Sequence, residues 1–238
     1  VSENMIETHG LTVFYGRNRG IIDVDLAVQK GEVFGFLGPN GAGKTTTMRV
    51  LLDIIRPTRG KAMVFGMDCH REGVAIRRQT GYIPGELSFY GEMTGQDFLD
   101  MLGRLRGDRT DLSYRREVCD HLQFDPTRKI HEYSSGNKRK LGVVMAFVHQ
   151  PELLILDEPT LGLDPLVAQS VLEMVNEARG QGRTVFLSSH ILSEVQSVCD
   201  RVGIIREGRL VEVAEVDALT TQPFHRVRLV LREEPPEH

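Results

Sequence analysis

The chain opens with short apolar runs set between polar turns. Residues 5–7, 11–15 and 21–28 have β character, broken by a polar turn at 16–20. This pattern predicts a small antiparallel sheet within residues 1–30. From Glu32 the pattern changes. An apolar run at 33–37 meets a glycine-rich turn, and over residues 45–55 Met48, Leu51, Leu52 and Ile55 recur at i, i+3, i+4 and i+7, the spacing of one helix face. This reads as strand, loop, helix, with Pro57 and Gly60 ending the helix.

Residues 86–140 are richer in charge and helix formers, with Phe98, Leu99, Met101, Leu102 and Leu105 inside 96–106. They read as an inserted helical lobe. Its last helix starts near Ser134, places Leu141, Val144, Met145 and Val148 on one face and stops before Pro151. Strand and helix then alternate. Residues 153–156 form a buried strand, and Asp164 N-caps a helix with Pro165 in its first position, closed by Gly180 and Gly182. A strand at 184–187, a helix at 191–198 and a hairpin of 202–205 with 210–213 across Glu207 and Gly208 complete an α/β core. The tail after Pro223 holds an alternating segment, Val227, Leu229 and Leu231, then a polar end.

Composition narrows the partners. The 238 residues are 40% hydrophobic and 26% charged, enough for a substantial buried core. The longest uncharged apolar stretches, 143–148 and 153–156, fall far short of the roughly 18 to 20 residues of a membrane span. A net charge of -4 lacks the basic excess of a general nucleic-acid binder. Cys69, Cys119 and Cys199 have no CxxC or Cys/His spacing, so they are expected to be reduced thiols in a cytosolic protein. The opening residues carry no basic segment followed by an apolar core, hence no secretory signal is expected.

The chemistry lies in two segments. Gly38, Pro39, Asn40, Gly41, Ala42, Gly43, Lys44 and Thr45 fit G-x-x-x-x-G-K-[ST] between a predicted strand and a predicted helix, followed by Thr46. In such a loop backbone amides converge on phosphate oxygens and the helix N-terminus adds its dipole. Lys44 reaches the β- and γ-phosphates, and the Thr45 hydroxyl ligates magnesium. Residues 153–159, LLILDEP, place Asp157 and Glu158 at the C-terminal end of an apolar strand, where ligands bind in parallel α/β sheets. Asp157 is the expected magnesium partner, and Glu158 the base that orients or deprotonates water. Together these segments predict a P-loop nucleoside triphosphatase that uses Mg²⁺.

Further segments give the chain a resemblance to the ATP-binding cassette (ABC) family, the ATPase subunits of ABC transporters, to about Val213. Tyr15 and Gly16 match the family's aromatic position that stacks on adenine; a core tyrosine is the alternative. Tyr133-Ser134-Ser135-Gly136-Asn137 stands where the family has its LSGGQ signature, Leu161-Gly162-Leu163-Asp164 resembles the D-loop, and His190 resembles the switch histidine that contacts the γ-phosphate. The resemblance implies an α/β fold: a P-loop NTPase core with an N-terminal antiparallel β-subdomain and an inserted helical lobe. One nucleotide-binding domain would cover 1–216, split into a β-subdomain at 1–30, a core at 31–85 and 141–216, and a helical subdomain at 86–140, with a tail at 217–238.

It also implies a composite site. Two subunits, two copies or a copy and a paralogue, would lie head to tail. Each would hold ATP between its own phosphate loop and the partner's Ser134, Gly136 and Asn137. Glu158, His190 and Lys44 would be catalytic, with Thr45 and Asp157 on the metal. Transmembrane permease subunits would receive the stroke through the helical lobe near residues 87–90, placing the chain at the cytoplasmic face of the cell membrane; no nucleic-acid partner is expected.

Two departures stand out. The signature has Tyr133, Ser135 and Asn137 in place of leucine, glycine and glutamine, while Ser134 and Gly136 are kept. Gly85, in Gly81-Tyr82-Ile83-Pro84-Gly85-Glu86-Leu87, occupies a position where the family usually has a glutamine that senses magnesium and links core to lobe. Glu86 is either its substitute or a solvated loop acid. Lys138, Arg139 and Lys140 read as a solvated basic helix face. With a single cassette, the short PGEL loop and the altered signature, the chain most resembles the exporter class that includes drug and antibiotic efflux systems. A soluble ABC-type ATPase acting on DNA or ribosomes is the alternative. A small-molecule kinase would leave the signature, D-loop and His190 unexplained.

Overall fold

Two sheets share the apolar residues between them, and one of them carries every strand end that the phosphate chemistry needs. The computed structural model describes residues 4–107 and 111–220; the tail segment with Val227, Leu229 and Leu231 lies outside the described residues. In chain order the elements are β1 (Asn4–Tyr15), β2 (Asn18–Gln29), β3 (Val33–Leu37), α1 (Lys44–Leu51), β4 (Arg59–Val64), β5 (Met67–Asp68), α2 (Gly73–Gln79) and β6 (Thr80–Ile83). There follow α3 (Gly95–Arg106), α4 (Leu112–His121), a 3₁₀ turn at Ile130–Glu132, α5 (Ser135–Phe147), β7 (Leu153–Asp157) and α6 (Pro165–Gly180). The series closes with β8 (Thr184–Ser189), α7 (Leu192–Val198), β9 (Arg201–Arg206), β10 (Arg209–Glu215) and α8 (Val216–Thr220).

The larger sheet has the order β10-β9-β3-β8-β7-β6. From β9 to β6 all pairings are parallel, and only the β9–β10 hairpin is antiparallel. Strands β7 and β8 are buried at every position, as expected where both faces of a parallel sheet are covered. Their alternation sorts side chains between two cores. Val33, Leu154, Leu156, Val185 and Leu187 face the helical side, packing with residues of α5, α6 and α7. Phe34, Phe36, Leu153, Ile155 and Phe186 face the second sheet and α1. There Phe186 stacks against Phe34 at 5.9 Å between ring centroids and meets Phe36 at 5.4 Å.

The second sheet has the order β2-β1-β4-β5, all antiparallel. It is larger than the segment 1–30: β4 and β5, from within 31–85, complete it. Helix α1 also ends earlier than residue 55. It stops at Leu51, before Pro57 or Gly60 can act, because Asp53 takes a left-handed conformation (φ 51°). The Asp53 carboxylate meets His70 Nδ1 at 3.2 Å.

The helical lobe is built from capped helices. Thr94 caps α3 by accepting from the Asp97 amide, Asp111 caps α4, and Ser134 caps α5 by accepting from the Asn137 amide. Phe98, Leu99, Val118, Leu122 and Phe124 close its interior against Tyr133, whose hydroxyl donates to the Asp125 carbonyl at 2.9 Å.

A buried titratable group lies just beyond α5. Both ring nitrogens of His149 are shielded from solvent. Burial, and then the charge of Arg106, push its pKa from 6.5 down to about 4. Its folded pKa is below its unfolded one, so it costs no stability above pH 6.5 and an increasing amount as pH falls toward 4, by at most about 1.4 kcal/mol per pH unit. Urea midpoints of wild type and His149→Leu are therefore expected to diverge between pH 7 and pH 5, with wild type losing more. Parallel curves would remove His149 as the cause.

Candidate functional site

Strand order assembles the site. Strand β8 lies between β3 and β7, with Leu37 opposite Ser189 and Asp157 opposite Ser188. The C-terminal ends of the three strands therefore lie at one level, and the loops leaving them meet above β8. From β3 the chain enters the glycine-rich turn and then α1. Gly43, which precedes α1, has φ 112°, and an added Cβ would come within 2.6 Å of Ile21. Only glycine fits this turn. The amides of Gly43, Lys44, Thr45 and Thr46 have no hydrogen-bond partner among the described residues. They supply the donor cluster of a helix N-terminus, which suits an anion.

Lys44 is only 5% exposed. Its Nζ donates to the carbonyls of Gly38 at 2.7 Å and Pro39 at 3.2 Å and meets Glu158 Oε1 at 3.1 Å. The other Glu158 oxygen lies 3.2 Å from His190 Nδ1. Glu158 follows β7 in a left-handed conformation, φ 48°. The sheet therefore brings together the three residues singled out as catalytic, with Glu158 between the ammonium and the imidazole.

Asp157 is buried at the end of β7. The Thr45 hydroxyl donates to Oδ2 and the Ser188 hydroxyl to Oδ1, each at 2.6 Å. The Ser188 oxygen also accepts the Glu158 amide at 3.0 Å, so one hydroxyl fixes both acids. Sequence reasoning missed Ser188. Its signal was a pair of hydroxyls ending the apolar run of β8, where a buried hydroxyl requires partners. Glu194 was missed too. Its carboxylate accepts from Thr160 at 2.7 Å and from Ser189 at 2.6 Å, tying the loop after β7 to the end of β8.

Tyr15, Arg19 and Gly20 join residues 40–46 and Glu158 around a cleft of about 280 Å³. Tyr15 is half exposed, with its hydroxyl 3.3 Å from the Thr46 hydroxyl; it lies at the mouth of the cleft and not in the core. Ser134, Gly136 and Asn137 do not line this cleft. They form the start of α5, with Ser134 exposed and Gly136 and Asn137 half-buried, next to the D-loop: a Cβ on Gly136 would stand 3.3 Å from the Gly162 carbonyl.

Near Gly85 one of two alternatives is favoured and one expectation changes. Glu86 is exposed, with no hydrogen bond or ion pair among the described residues, so nothing places it where the missing glutamine would act. The run 138–140 is not a uniformly solvated face: Arg139 is buried and donates to the carbonyls of Pro84 at 2.9 Å and Gly85 at 2.8 Å. Its three-methylene stem lets the guanidinium reach these carbonyls, while Lys138 and Lys140 on either side remain partly exposed.

Comparison with known proteins matches residues 21–161 to the family model described as ABC transporter. The bacitracin transport ATP-binding protein of Bacillus licheniformis is 37% identical over 90% of this chain and 71% of its own length. The daunorubicin resistance ATP-binding protein of Streptomyces coeruleorubidus is 34% identical over 98% of this chain and 75% of its own length. A solved ATP-binding subunit of an ABC transporter superposes with a TM-score of 0.81 at 31% identity, covering 90% of this chain and 91% of that one.

Proposed function

The chain belongs to the ABC transporter family of ATP-binding proteins, and from that premise we propose that it is the ATP-hydrolysing subunit of an exporter, working as a pair of subunits on membrane-embedded partners. The observation that carries this reading is the Lys44–Glu158–His190 cluster beneath a free helix N-terminus. Phosphate oxygens would take the amides of residues 43–46 and the Lys44 ammonium. They compete with Glu158 for that ammonium, so phosphate binding turns the Glu158 carboxylate toward water. Glu158 would then accept the proton of the attacking water, and His190, whose Nδ1 lies 3.2 Å from the carboxylate, would stand beside it and meet the γ-phosphate. Tyr15 supplies an exposed ring at the mouth of the cleft for the base to stack on.

The residues present suit Mg²⁺. Thr45 Oγ1 and Asp157 Oδ2 form a hard-oxygen pair already in contact, and this ion takes one or two protein oxygens with the rest from water and phosphate. When bound, it neutralises charge on the phosphates.

The exposed signature turn supports the two-subunit reading. Ser134, Gly136 and Asn137 have the chemistry of a phosphate contact but lie away from their own cleft, and Leu161 of the D-loop and Leu166 just after it are exposed. For the membrane side, Leu87 packs on Gly142 and Phe89 meets Phe98 edge-on at 5.2 Å, leaving Tyr90 exposed at the lobe surface. No helix among the described residues is long and apolar enough to cross a membrane, in keeping with a peripheral place on permease subunits. The relatives named above are transporter or drug-resistance proteins, which favours export over a soluble ATPase acting on DNA or ribosomes. Affinity capture of this chain from detergent-solubilised membranes is expected to bring down a membrane-embedded subunit. Recovery of ribosomes, or salt-sensitive DNA binding, would overturn the transporter reading.

A further inference from the structure

Among the described residues two buried charged side chains, Glu32 and Arg139, lie outside the hydrolytic cluster, and Glu32 is paired with Arg201. Arg139 lies on α5, five residues beyond Ser134, and is 6% exposed. Both partners of its guanidinium, the Pro84 and Gly85 carbonyls, are neutral. Burial pulls its pKa down, while the charges of Asp157 and then Glu158 act the other way. A cation is costly to bury without compensation. Here the two acids of the hydrolytic site supply the compensating field without touching it.

The carbonyls it grips belong to the segment that leaves β6 and crosses Asp157. A Cβ on Gly85 would lie 2.9 Å from Asp157 Oδ2 and 3.8 Å from Thr45 Oγ1. The Gly85 backbone thus rests directly against the acid, with no room for a side chain between them. A continuous path of contacts runs from the Thr45–Asp157 pair through the Gly85 backbone and Arg139 to α5, whose N-cap is Ser134. Two donors on successive carbonyls resist rotation of the loop as well as translation, which a single ammonium cannot do.

We propose that Arg139 is a positioning residue that couples the Asp157 end of the site to the signature turn of the same chain. From the helical lobe it makes the tie that the family makes from the core with a glutamine where this chain has Gly85. This rests on the ATPase reading above. Arg139 does not line the cleft, so its removal should act on turnover and not on nucleotide binding.

The test uses the purified full chain. Arg139→Met, which keeps the buried stem, is expected to bind fluorescent ATP within about threefold of wild type. Its kcat should fall about tenfold or more with KM little changed, and half-maximal activity should need more Mg²⁺. Combined with Glu158→Gln, it should fail to form the ATP-dependent dimer. Gly85→Gln should impair wild type, where the added Cβ meets Asp157, but restore part of the activity lost in Arg139→Met. Equal damage by Gly85→Gln in both backgrounds would reduce Arg139 to packing and overturn the proposal. So would wild-type kcat and Mg²⁺ dependence in Arg139→Met. If Arg139→Met does not fold, Arg139→Lys decides: loss of kcat supports the two-carbonyl grip, and wild-type kcat overturns it. Absence of hydrolysis by the wild-type chain would instead strike the ATPase reading.

Discussion

Glu158→Gln protein is expected to hydrolyse ATP about 10²- to 10⁴-fold more slowly than wild type, the range that a positioned general base supplies, and to accumulate as an ATP-bound pair of subunits. The substitution keeps size but exchanges one carboxylate oxygen for an amide NH₂ and removes the charge that lies 3.1 Å from Lys44 and 3.2 Å from His190. Two effects follow from that one charge. Water loses its proton acceptor, so turnover falls. The Lys44 ammonium loses the carboxylate that competes with phosphate, so ATP binds at least as tightly as before. Single-turnover hydrolysis and size-exclusion chromatography in ATP check the two halves separately. Hydrolysis at the wild-type rate would remove Glu158 as the base, and slow hydrolysis with weakened ATP binding would refute the competition with Lys44.

Lys44→Ala has the opposite signature. The ammonium is held by two loop carbonyls and one carboxylate, which aims it at the turn where the free amides converge. Charge-assisted hydrogen bonds contribute about 1.5–3 kcal/mol, so losing them should weaken ATP binding about ten- to a hundred-and-fifty-fold. Turnover should also fall to background, because Glu158 then loses the ammonium 3.1 Å away that positions it against the phosphates. Equilibrium binding of a fluorescent nucleotide measures the first effect. An unchanged dissociation constant would show that the backbone amides hold the phosphates without Lys44.

These two variants test the parts of the site that were legible in the sequence, and their legibility has a physical cause. A phosphate loop is a local object: eight consecutive residues set its turn, its charge and its helix start. The same holds for β3, β7 and β8, whose burial on both faces leaves near-continuous apolar runs. Strands β4 and β6 and helix α2 lacked such a signal. The first begins with Arg59-Gly60-Lys61, the second is a four-residue edge strand, and the third spans seven residues around a single fully buried side chain, Ile76. Ser188, Glu194 and Arg139 act through partners 31, 34 and 55 positions away, and only the folded sheet brings those partners near. Arg139 shows the limit most plainly: its neighbours suggested a solvated face, while its own side chain turns into the protein.

The placement of β8 between β3 and β7 has a consequence for tolerance to change. The strands that lead into the phosphate loop and the acid pair, β3 and β7, stand two strand spacings apart, roughly 10 Å, a distance set by backbone ladders and not by any loop. A covering loop can therefore be rewritten without altering the gauge of the machine. The departures from the family's usual form, at Gly85, Tyr133, Ser135 and Asn137, all lie off this sheet, where a changed side chain leaves the width of the jaws untouched.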